Sequence, residues 1–282
     1  MIKVIKPGFY STIQDQGRLG HRSFGVPISG AMDSYSSQFA NELVGNDKAA
    51  AVLEMTMTGA DLLFLKSTTI AITGANMDPK LNSKAIAMFK SIIVHNGDII
   101  SFGRLEFGFR AYMAAKGGFL TETVLGSRSM LKGITDDFRI QKDDWLETMK
   151  SSNLILPKNA KLKFDASYLN GGTLEVLKGP EFDKLSNDKR DLLLNTTFEV
   201  SKYNNRMAYQ LQPLVENDLK PILTSPVLPG TVQLTPSGQL IVLMRDCQTT
   251  GGYPRVLQLT EKSINILSQK TTGNNLKIRL QD

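Results

Sequence analysis

The apolar positions of this chain form many short runs that glycine, proline and asparagine interrupt. Residues 2–6 alternate between apolar and charged side chains and are stopped by Pro7-Gly8, which is typical of a strand that ends in a turn. Residues 92–94 and 99–102 are apolar and flank Asn96-Gly97. An Asn-Gly pair between two apolar runs predicts a β-hairpin.

Helical periodicity is confined to a few segments. Residues 35–44 carry an apolar stripe, with Asp33 or Ser34 as the N-cap and Gly45-Asn46 as the C-terminal signal. A charged segment at residues 182–194 is a second predicted helix. The pattern as a whole therefore predicts a mainly β protein with short helices, a β-rich α+β fold.

The order of turns and strands in the first half of the chain recurs in the second half. Gly59 precedes an apolar run at residues 70–73, and Gly230 precedes a similar run at residues 241–244 by a comparable interval. The match lies in the pattern and not in residue identity. We interpret it as an internal duplication of a β-rich unit.

The duplication predicts two units of similar size. We place the first over residues 1–150 and the second over residues 151–282, with strands that can be exchanged between them. The polar span at residues 135–160, with its serines, asparagine and Pro157, is the predicted connection.

Composition narrows the class of protein without identifying it. The 282 residues are 41% hydrophobic and 21% charged, as in ordinary globular proteins. No apolar run has the length of a membrane span, and residues 2–5 are strand-like with no export leader before them. One cysteine excludes an internal disulfide and suits a reducing compartment, so we expect a cytoplasmic location. The net charge of +6 is spread among acids, which does not indicate a nucleic-acid partner.

Polar side chains concentrate at residues 246–254, directly after the apolar run at 240–244. Such a concentration is typical of a pocket wall, because buried polar groups need partners. Asp246 is either paired with a cation or acts as a base. Cys247 is a candidate nucleophile, but a lone cysteine after an apolar run is more simply a small buried side chain.

Two other loops carry candidate chemistry. Residues 12–20 place Gln14, Asp15 and Arg18 among glycines that permit close approach of a ligand. Arg18, Arg128 and Arg206 all lie in glycine-, serine- or asparagine-rich surroundings. A guanidinium there holds either a ligand carboxylate or phosphate, or an internal acid.

Several common active sites find no support. The sequence has no Gly-x-x-x-x-Gly-Lys-Ser/Thr loop, no Cys-x-x-Cys, no His-Glu-x-x-His and no Gly-x-Ser-x-Gly. With two histidines in the chain, a conventional zinc site is not indicated.

Six motifs, in one order along the chain, resemble a known family. The motifs are Thr12-Ile13-Gln14-Asp15-x-Gly17-Arg18, Gly30-Ala31-Met32-Asp33, Ala40-Asn41-x-Leu43-Val44-Gly45-Asn46, Leu125-Gly126-Ser127-Arg128-Ser129, Asn205-Arg206-Met207 and Asp246-x-Gln248-Thr249-Thr250-Gly251-Gly252-Tyr253-Pro254. The family is that of the biotin-dependent carboxyltransferases, or allophanate hydrolase subunit 2. Its stand-alone bacterial members include the C subunit of 5-oxoprolinase, also called KipA.

The resemblance implies a fold of two cyclophilin-like β-barrel units. It implies two partner proteins, the B subunit (KipI-like) and the A subunit (of the lactam-utilisation type), and a complex that uses ATP to open 5-oxoproline to glutamate. In the urea carboxylase relatives, the equivalent domain moves a carboxyl group from carboxybiotin to urea. KipA-like members are linked to relief of a histidine-kinase inhibitor, which is a third expectation.

The resemblance also implies site residues. Asp15 or Asp246 would transfer protons, and Arg18 or Arg128 would hold the substrate carboxylate. The amide would bind to Gln14, Gln248 and Thr249. The further substrate-binding candidates are Asn41, Arg206, Gln233, Thr250 and Tyr253, and no metal is implied.

The chain departs from the family pattern at a few positions. Ala208 and Gln210 replace a glycine and an arginine, Met130 replaces a threonine, and Leu234-Thr235 replaces Val-Pro. Loss of a basic residue at position 210 weakens the case for an anion site on that face. The departures bear on the substrate more than on the fold.

Overall fold

The computed structural model describes residues 1–149 and 164–281. Their contacts divide the chain into two compact units. The first unit comprises Met1–Arg18 and Asp33–Asn170, and the second comprises Leu19–Met32 and Gly171–Asp282. The predicted division at residue 150 and part of the predicted connection at 135–160 lie outside the described residues.

In its described part, the first unit consists of strands in two sheets and two helices. The elements are β1 (Ile2–Lys6), β2 (Tyr10–Gln14), α1 (Ser34–Leu43), β3 (Val52–Thr56), β4 (Asp61–Phe64), β5 (Thr68–Asn76), β6 (Pro79–Leu81), β7 (Lys84–Ala85), β8 (Ser91–Val94), β9 (Ile99–Phe102), β10 (Phe107–Ala115), β11 (Trp145–Leu146) and α2 (Ser167–Asn170). One sheet has the order β11-β1-β4-β9-β6-β7, and the other has the order β2-β3-β10-β5-β8.

A single apolar core serves both sheets of the first unit. The six-stranded sheet contributes side chains such as Val4, Leu62 and Phe64, and the five-stranded sheet contributes Leu53 and Met113, all fully buried. Alternation along each strand sends these residues to the inner face. The apolar runs of the sequence therefore mark the strands that build this core.

The centre of the five-stranded sheet requires a glycine. The β5–β10 pairing shifts register between Phe107 and Ala111, and Gly74 adopts a φ of +78° at this irregularity. A Cβ at Gly74 would lie 2.4 Å from the carbonyl oxygen of Arg110. A larger residue is excluded by both the backbone conformation and the contact.

Helix α1 is confirmed, including its cap. The Asp33 carboxylate accepts a hydrogen bond from the Ser36 amide at 3.0 Å. The Gly45 amide closes the C-terminal turn on the Glu42 carbonyl. Phe39 and Ala40 point into the unit and are buried. The predicted helix at 182–194 is also present, as a 3-10 turn at Phe182–Lys184 followed by a separate helix in the second unit.

The hairpin predicted around Asn96-Gly97 is wrong. The turn exists, and Gly97 has a φ of +91°, but β8 pairs with β5 while β9 pairs with β4 and β6. The Gly97 amide donates to the Phe64 carbonyl at 2.8 Å, which ties the turn to β4. An Asn-Gly signal reports the backbone of a turn, whereas the partners of the flanking strands are decided by packing.

The described residues of the second unit form a closed barrel with two helices. The elements are β12 (Thr173–Lys178), α3 (Asn187–Asn195), β13 (Thr197–Asn204), β14 (Ala208–Gln212), β15 (Ser225–Pro226), β16 (Thr231–Leu234), β17 (Leu240–Leu243), β18 (Thr250–Gly251), β19 (Arg255–Leu259), α4 (Glu261–Ser268) and β20 (Asn275–Leu280). The barrel order is β12-β19-β16-β17-β14-β13-β20, and β20 closes it by pairing in parallel with β12. Strands β15 and β18 form a separate two-stranded sheet.

The mainly β fold with short helices is confirmed. The second unit is a closed barrel, and the first surrounds its core with two sheets. The internal duplication stays a prediction. Among the described residues, none of the helices combines the length and the apolar character that a bilayer crossing requires.

Candidate functional site

Asp15 is the centre of a hydrogen-bonded cluster in the first unit. It follows β2, and its Oδ1 accepts from the hydroxyls of Ser127 and Ser129, each at 2.6 Å, and from the Gly17 amide at 2.8 Å. Its Oδ2 accepts from the Arg128 amide at 2.6 Å. These four donors use the carboxylate to hold the 127–129 loop against the end of β2, an arrangement that favours a structural role for the charge.

Gln14 and Arg18 lie in the same cluster and are fully buried. The Gln14 side-chain amide donates to the Met130 carbonyl and to the Thr12 hydroxyl, each at 3.0 Å. The Arg18 guanidinium donates to the Ser129 carbonyl. Three residues that the sequence placed on one loop therefore converge on residues 129–130, which are distant in sequence.

Arg128 and Asn41 complete the predicted residues of the first unit. The Arg128 guanidinium donates to the Thr121 carbonyl, and the Thr121 hydroxyl donates to the Arg128 carbonyl at 3.1 Å. The Asn41 amide donates to the Ala50 carbonyl at 2.7 Å and accepts from the Asn46 side chain at 3.0 Å. Asn41 thus fastens the end of α1 to the following loop.

Asp246 and Arg206 form a two-pronged ion pair in the second unit. Arg206 Nε lies 2.8 Å from Asp246 Oδ2, and Nη2 lies 2.9 Å from Oδ1. The same Nη2 donates to the Gly30 carbonyl at 2.7 Å. Both side chains are largely buried. Of the two interpretations left open for Asp246, the geometry favours the paired one.

Cys247 is a buried apolar contact. It is fully buried and packs with Val227 and Leu243. Burial raises the pKa of the Cys247 thiol to about 11, so the thiol is protonated near neutral pH and is a poor nucleophile. The sequence favoured the same interpretation.

The rest of the 246–254 stretch is fixed by short strands and by Gln233. Thr250 pairs with Pro226 in the β15–β18 sheet. Gln233 is buried and donates to the Tyr253 carbonyl at 3.3 Å. A Cβ at Gly251 would lie 2.4 Å from the Gln233 side-chain nitrogen, so the glycine allows the loop to lie against the barrel. The Tyr253 ring is exposed.

The predicted site residues therefore form two groups. Asp15, Gln14, Arg18 and Arg128 lie together in the first unit, where Asn41 makes contacts of its own. Arg206, Asp246, Gln248, Thr249, Thr250, Gln233 and Tyr253 lie on neighbouring loops of the second unit.

The sequence profile of the carboxyltransferase domain, subdomains A and B, matches residues 24–280. The chain belongs to this family. The matched range includes most of both units, with the loops that carry the Asp15 partners and the 246–254 stretch.

Named relatives agree with the family. The chain is 33% identical to the C subunit of 5-oxoprolinase from Escherichia coli, over 97% of this chain and 89% of the relative. It is 45% identical to urea amidolyase of Lachancea kluyveri, over 45% of this chain and 7% of that protein. The structure of K. lactis urea amidolyase superimposes with a TM-score of 0.88 at 27% identity, over 98% of this chain and 18% of that chain. The chain spans about half the length of the other solved chains that it matches first.

Sequence reasoning missed Arg22 in the second unit. It begins a 3-10 turn at Arg22–Phe24, and its guanidinium donates to the carbonyls of Val227 and Thr249. Only its position in the same glycine-punctuated loop as Arg18 could have drawn attention to it. It lies two residues before the first residue that the family profile matches.

A buried network in the first unit was also missed. The Tyr168 hydroxyl donates to Asp33 Oδ2 at 2.5 Å, and the Asp33 amide donates to the Tyr112 hydroxyl at 2.8 Å. Burial raises the pKa of both tyrosines, and the Asp33 carboxylate raises them further. The partners are 79 and 135 residues from Asp33, so no local pattern could have indicated them.

Proposed function

We propose that this chain is one component of an ATP-dependent 5-oxoprolinase complex that opens the lactam of 5-oxoproline to L-glutamate. The proposal rests on the extent of the similarity to a free-standing protein. The match to the C subunit of E. coli 5-oxoprolinase covers 97% of this chain and 89% of that protein. The urea amidolyase matches cover 45% of this chain and 7% of those proteins.

The name of the relative supports partner proteins. In the proposal, the partners are the B subunit (KipI-like) and the A subunit (lactam-utilisation type). We assign ATP to one of them. The N-terminus of α1, where a phosphate could bind backbone amides, is filled by the Asp33 carboxylate, which would repel it. The residues of this site do not fit a nucleotide.

The geometry supports an amide substrate. Carbonyl, amide and guanidinium groups converge around residues 246–254 within the second unit, and an amide offers a donor and an acceptor to such groups. Asp15 and Asp246 are each bound by several donors in their own unit. We therefore give both carboxylates the role of positioning loops that carry binding groups, in place of the proton transfer expected from the sequence.

Reconstitution tests the proposed function. The full chain is combined with its two candidate partner proteins, and glutamate formation from 5-oxoproline is measured with and without ATP. We expect glutamate only when all three proteins and ATP are present. Turnover that is unchanged when this chain is omitted contradicts the proposal.

The family profile favours a second candidate, a biotin-dependent carboxyltransferase. Its description names a carboxyltransferase domain. The chain has no Met-Lys-Met acceptor, so a separate carrier protein would bring the biotin. Carboxyl transfer to urea from such a carrier, without 5-oxoproline turnover, would decide for this candidate.

The regulatory role linked to KipA-like proteins remains a third expectation. Affinity purification of the chain from its own cells, followed by mass spectrometry, separates the three. A lactam-utilisation protein, a biotin carrier or a kinase inhibitor would be the partner expected for the first, second and third candidates.

A further inference from the structure

Arg22 has a donor to spare. Its Nη2 is engaged by two backbone carbonyls of the second unit, Val227 and Thr249, the latter at 3.3 Å. The Cys247 thiol also lies against the guanidinium, and this contact lowers the thiol pKa against the larger effect of burial. Its Nη1 is buried and has no acceptor among the described residues. Guanidinium donors that are withdrawn from water normally meet an acceptor.

Gln248 has an acceptor to spare. It stands between Cys247 and Thr249, the two residues of this loop that the Arg22 guanidinium contacts. Its side-chain oxygen Oε1 is buried and has no donor among the described residues. A leftover donor and a leftover acceptor therefore lie on neighbouring segments of one unit.

The backbone around both side chains is held in place. The Val227 amide donates to the Thr249 carbonyl at 3.1 Å, and the Ile222 amide donates to the Gly252 carbonyl at 2.9 Å. The Asp246 amide donates to the Arg206 carbonyl at 2.9 Å. A loop fixed in this way loses little conformational entropy on binding, which is the property of a preorganised site.

We propose that Arg22 and Gln248 bind one edge of a cis amide. The substrate carbonyl oxygen accepts from Arg22 Nη1, and the substrate N–H donates to Gln248 Oε1. A lactam or a urea carries its N–H and C=O side by side, whereas a trans peptide bond holds them on opposite sides. The pair thus selects lactams and ureas over peptides. This inference deepens the proposed function and rests on its substrate class.

Two lactams separate this role from a structural one. 2-Pyrrolidinone presents the full edge, and N-methyl-2-pyrrolidinone lacks the N–H. We expect the full-length chain to bind 2-pyrrolidinone about tenfold more tightly, the size of one hydrogen bond in a desolvated site. Titration followed by NMR measures both affinities.

The variants divide the edge into its two halves. Gln248→Met should abolish the preference between the lactams, because the acceptor for the N–H is gone. Arg22→Lys should weaken both lactams about tenfold, since both carry the carbonyl. Arg279→Lys and Gln212→Met, on exposed strand positions, are the matched controls and should bind as the wild type does. In the reconstituted complex, both site variants should raise KM for 5-oxoproline about tenfold with kcat nearly unchanged.

Each outcome has a meaning. If the wild-type chain binds neither lactam, or binds both equally, the inference is overturned. The same holds if the variants bind like the wild type, which is the result expected if water alone satisfies Nη1 and Oε1. If the chain discriminates between the lactams but the complex makes no glutamate, the proposed function fails and this inference stands.

Discussion

The Asp246–Arg206 pair shows how one side chain can be predicted correctly in kind and left open in role. The sequence indicated that both residues are unusual for their surroundings, but nothing local shows that they face each other across 40 positions. Once paired, the carboxylate and the guanidinium neutralise each other in a largely buried place. Removing one partner leaves an uncompensated buried charge, and this is the dominant expected effect.

We predict that Asp246→Asn lowers the free energy of unfolding by about 2 kcal/mol, because the amide oxygen can keep one of the two bonds. Urea denaturation measures the loss. Glu175→Gln, at the exposed pair with Arg279, is the control and should change stability by less than about 0.5 kcal/mol. A variant that is as stable as the wild type but inactive in the complex would return Asp246 to a role in proton transfer.

Lys270 gives the stability of the second unit a dependence on pH. It is buried after α4, and burial lowers its pKa from 10.5 to about 8. Between these two pH values the unfolded chain holds the proton and the folded chain has released it. The free energy of unfolding therefore rises with pH across this window, and the full penalty for burying the charge applies below about pH 8.

We predict that Lys270→Met removes this rise and stabilises the protein at neutral pH by about 3 kcal/mol, at about 1.4 kcal/mol per pKa unit. Urea denaturation at several pH values compares the slopes. Lys277→Met, at an exposed position on β20, should leave the wild-type slope unchanged. Equal slopes for the wild type and Lys270→Met would show that the lysine charge is not penalised.

Among the elements, loops are joined by side chains more than by neighbouring sequence. The end of β2 meets the 127–129 loop through Asp15. We predict that Asp15→Asn weakens this junction by about 2 kcal/mol, since its new NH2 group would face the Arg128 amide, donor against donor. Hydrogen exchange at residues 127–130 should accelerate.

The control for Asp15 is Asp47→Asn. The Asp47 carboxylate accepts from the Ala49 amide at 2.7 Å in an exposed turn, and exchange at residues 127–130 should not respond to its loss. If Asp15→Asn leaves exchange at the 127–130 loop unchanged, the loop is held by its other contacts.

Patterns along the chain predicted elements better than they predicted partners. The strands, the helix with its Asp33 cap and the mainly β class follow from periodicity and capping, which are local. The hairpin at Asn96-Gly97 failed because β8 and β9 bury their side chains against different strands. The closure of the barrel by β12 and β20 joins residues about a hundred positions apart, and only packing of the whole unit decides it.

The candidate site divides in the same way. Its residue types were predictable because glycine-rich loops with buried polar groups are unusual in a plain core. Their partners were not, since Asp15 is bound by residues 112 to 114 positions away. Arg22 escaped notice because one arginine in a polar loop has no distinctive pattern, and its two carbonyl acceptors lie more than 200 positions later.

For the molecule as a whole, the units are not consecutive halves. Leu19–Met32 belongs by its contacts to the second unit, although the chain on either side of it belongs to the first. In the second unit, Arg206 donates to the Gly30 carbonyl and Ser29 donates its amide to the Arg245 carbonyl. Arg22 likewise holds the 227 and 249 backbone. A division of the chain at one point cannot preserve these contacts.

We therefore predict that a fragment of residues 151–282, the second half as the sequence divides it, does not fold stably by itself. Without Leu19–Met32 the Arg206 guanidinium loses part of its acceptors, and the 246–254 loop loses Arg22. Circular dichroism and urea titration of the fragment should show a lost or much weakened cooperative transition. Adding a peptide of residues 19–32 should restore part of it, and a peptide with Arg22 replaced by alanine should restore less. A fragment that unfolds as cooperatively as the full chain would mean that the barrel is complete without the inserted segment.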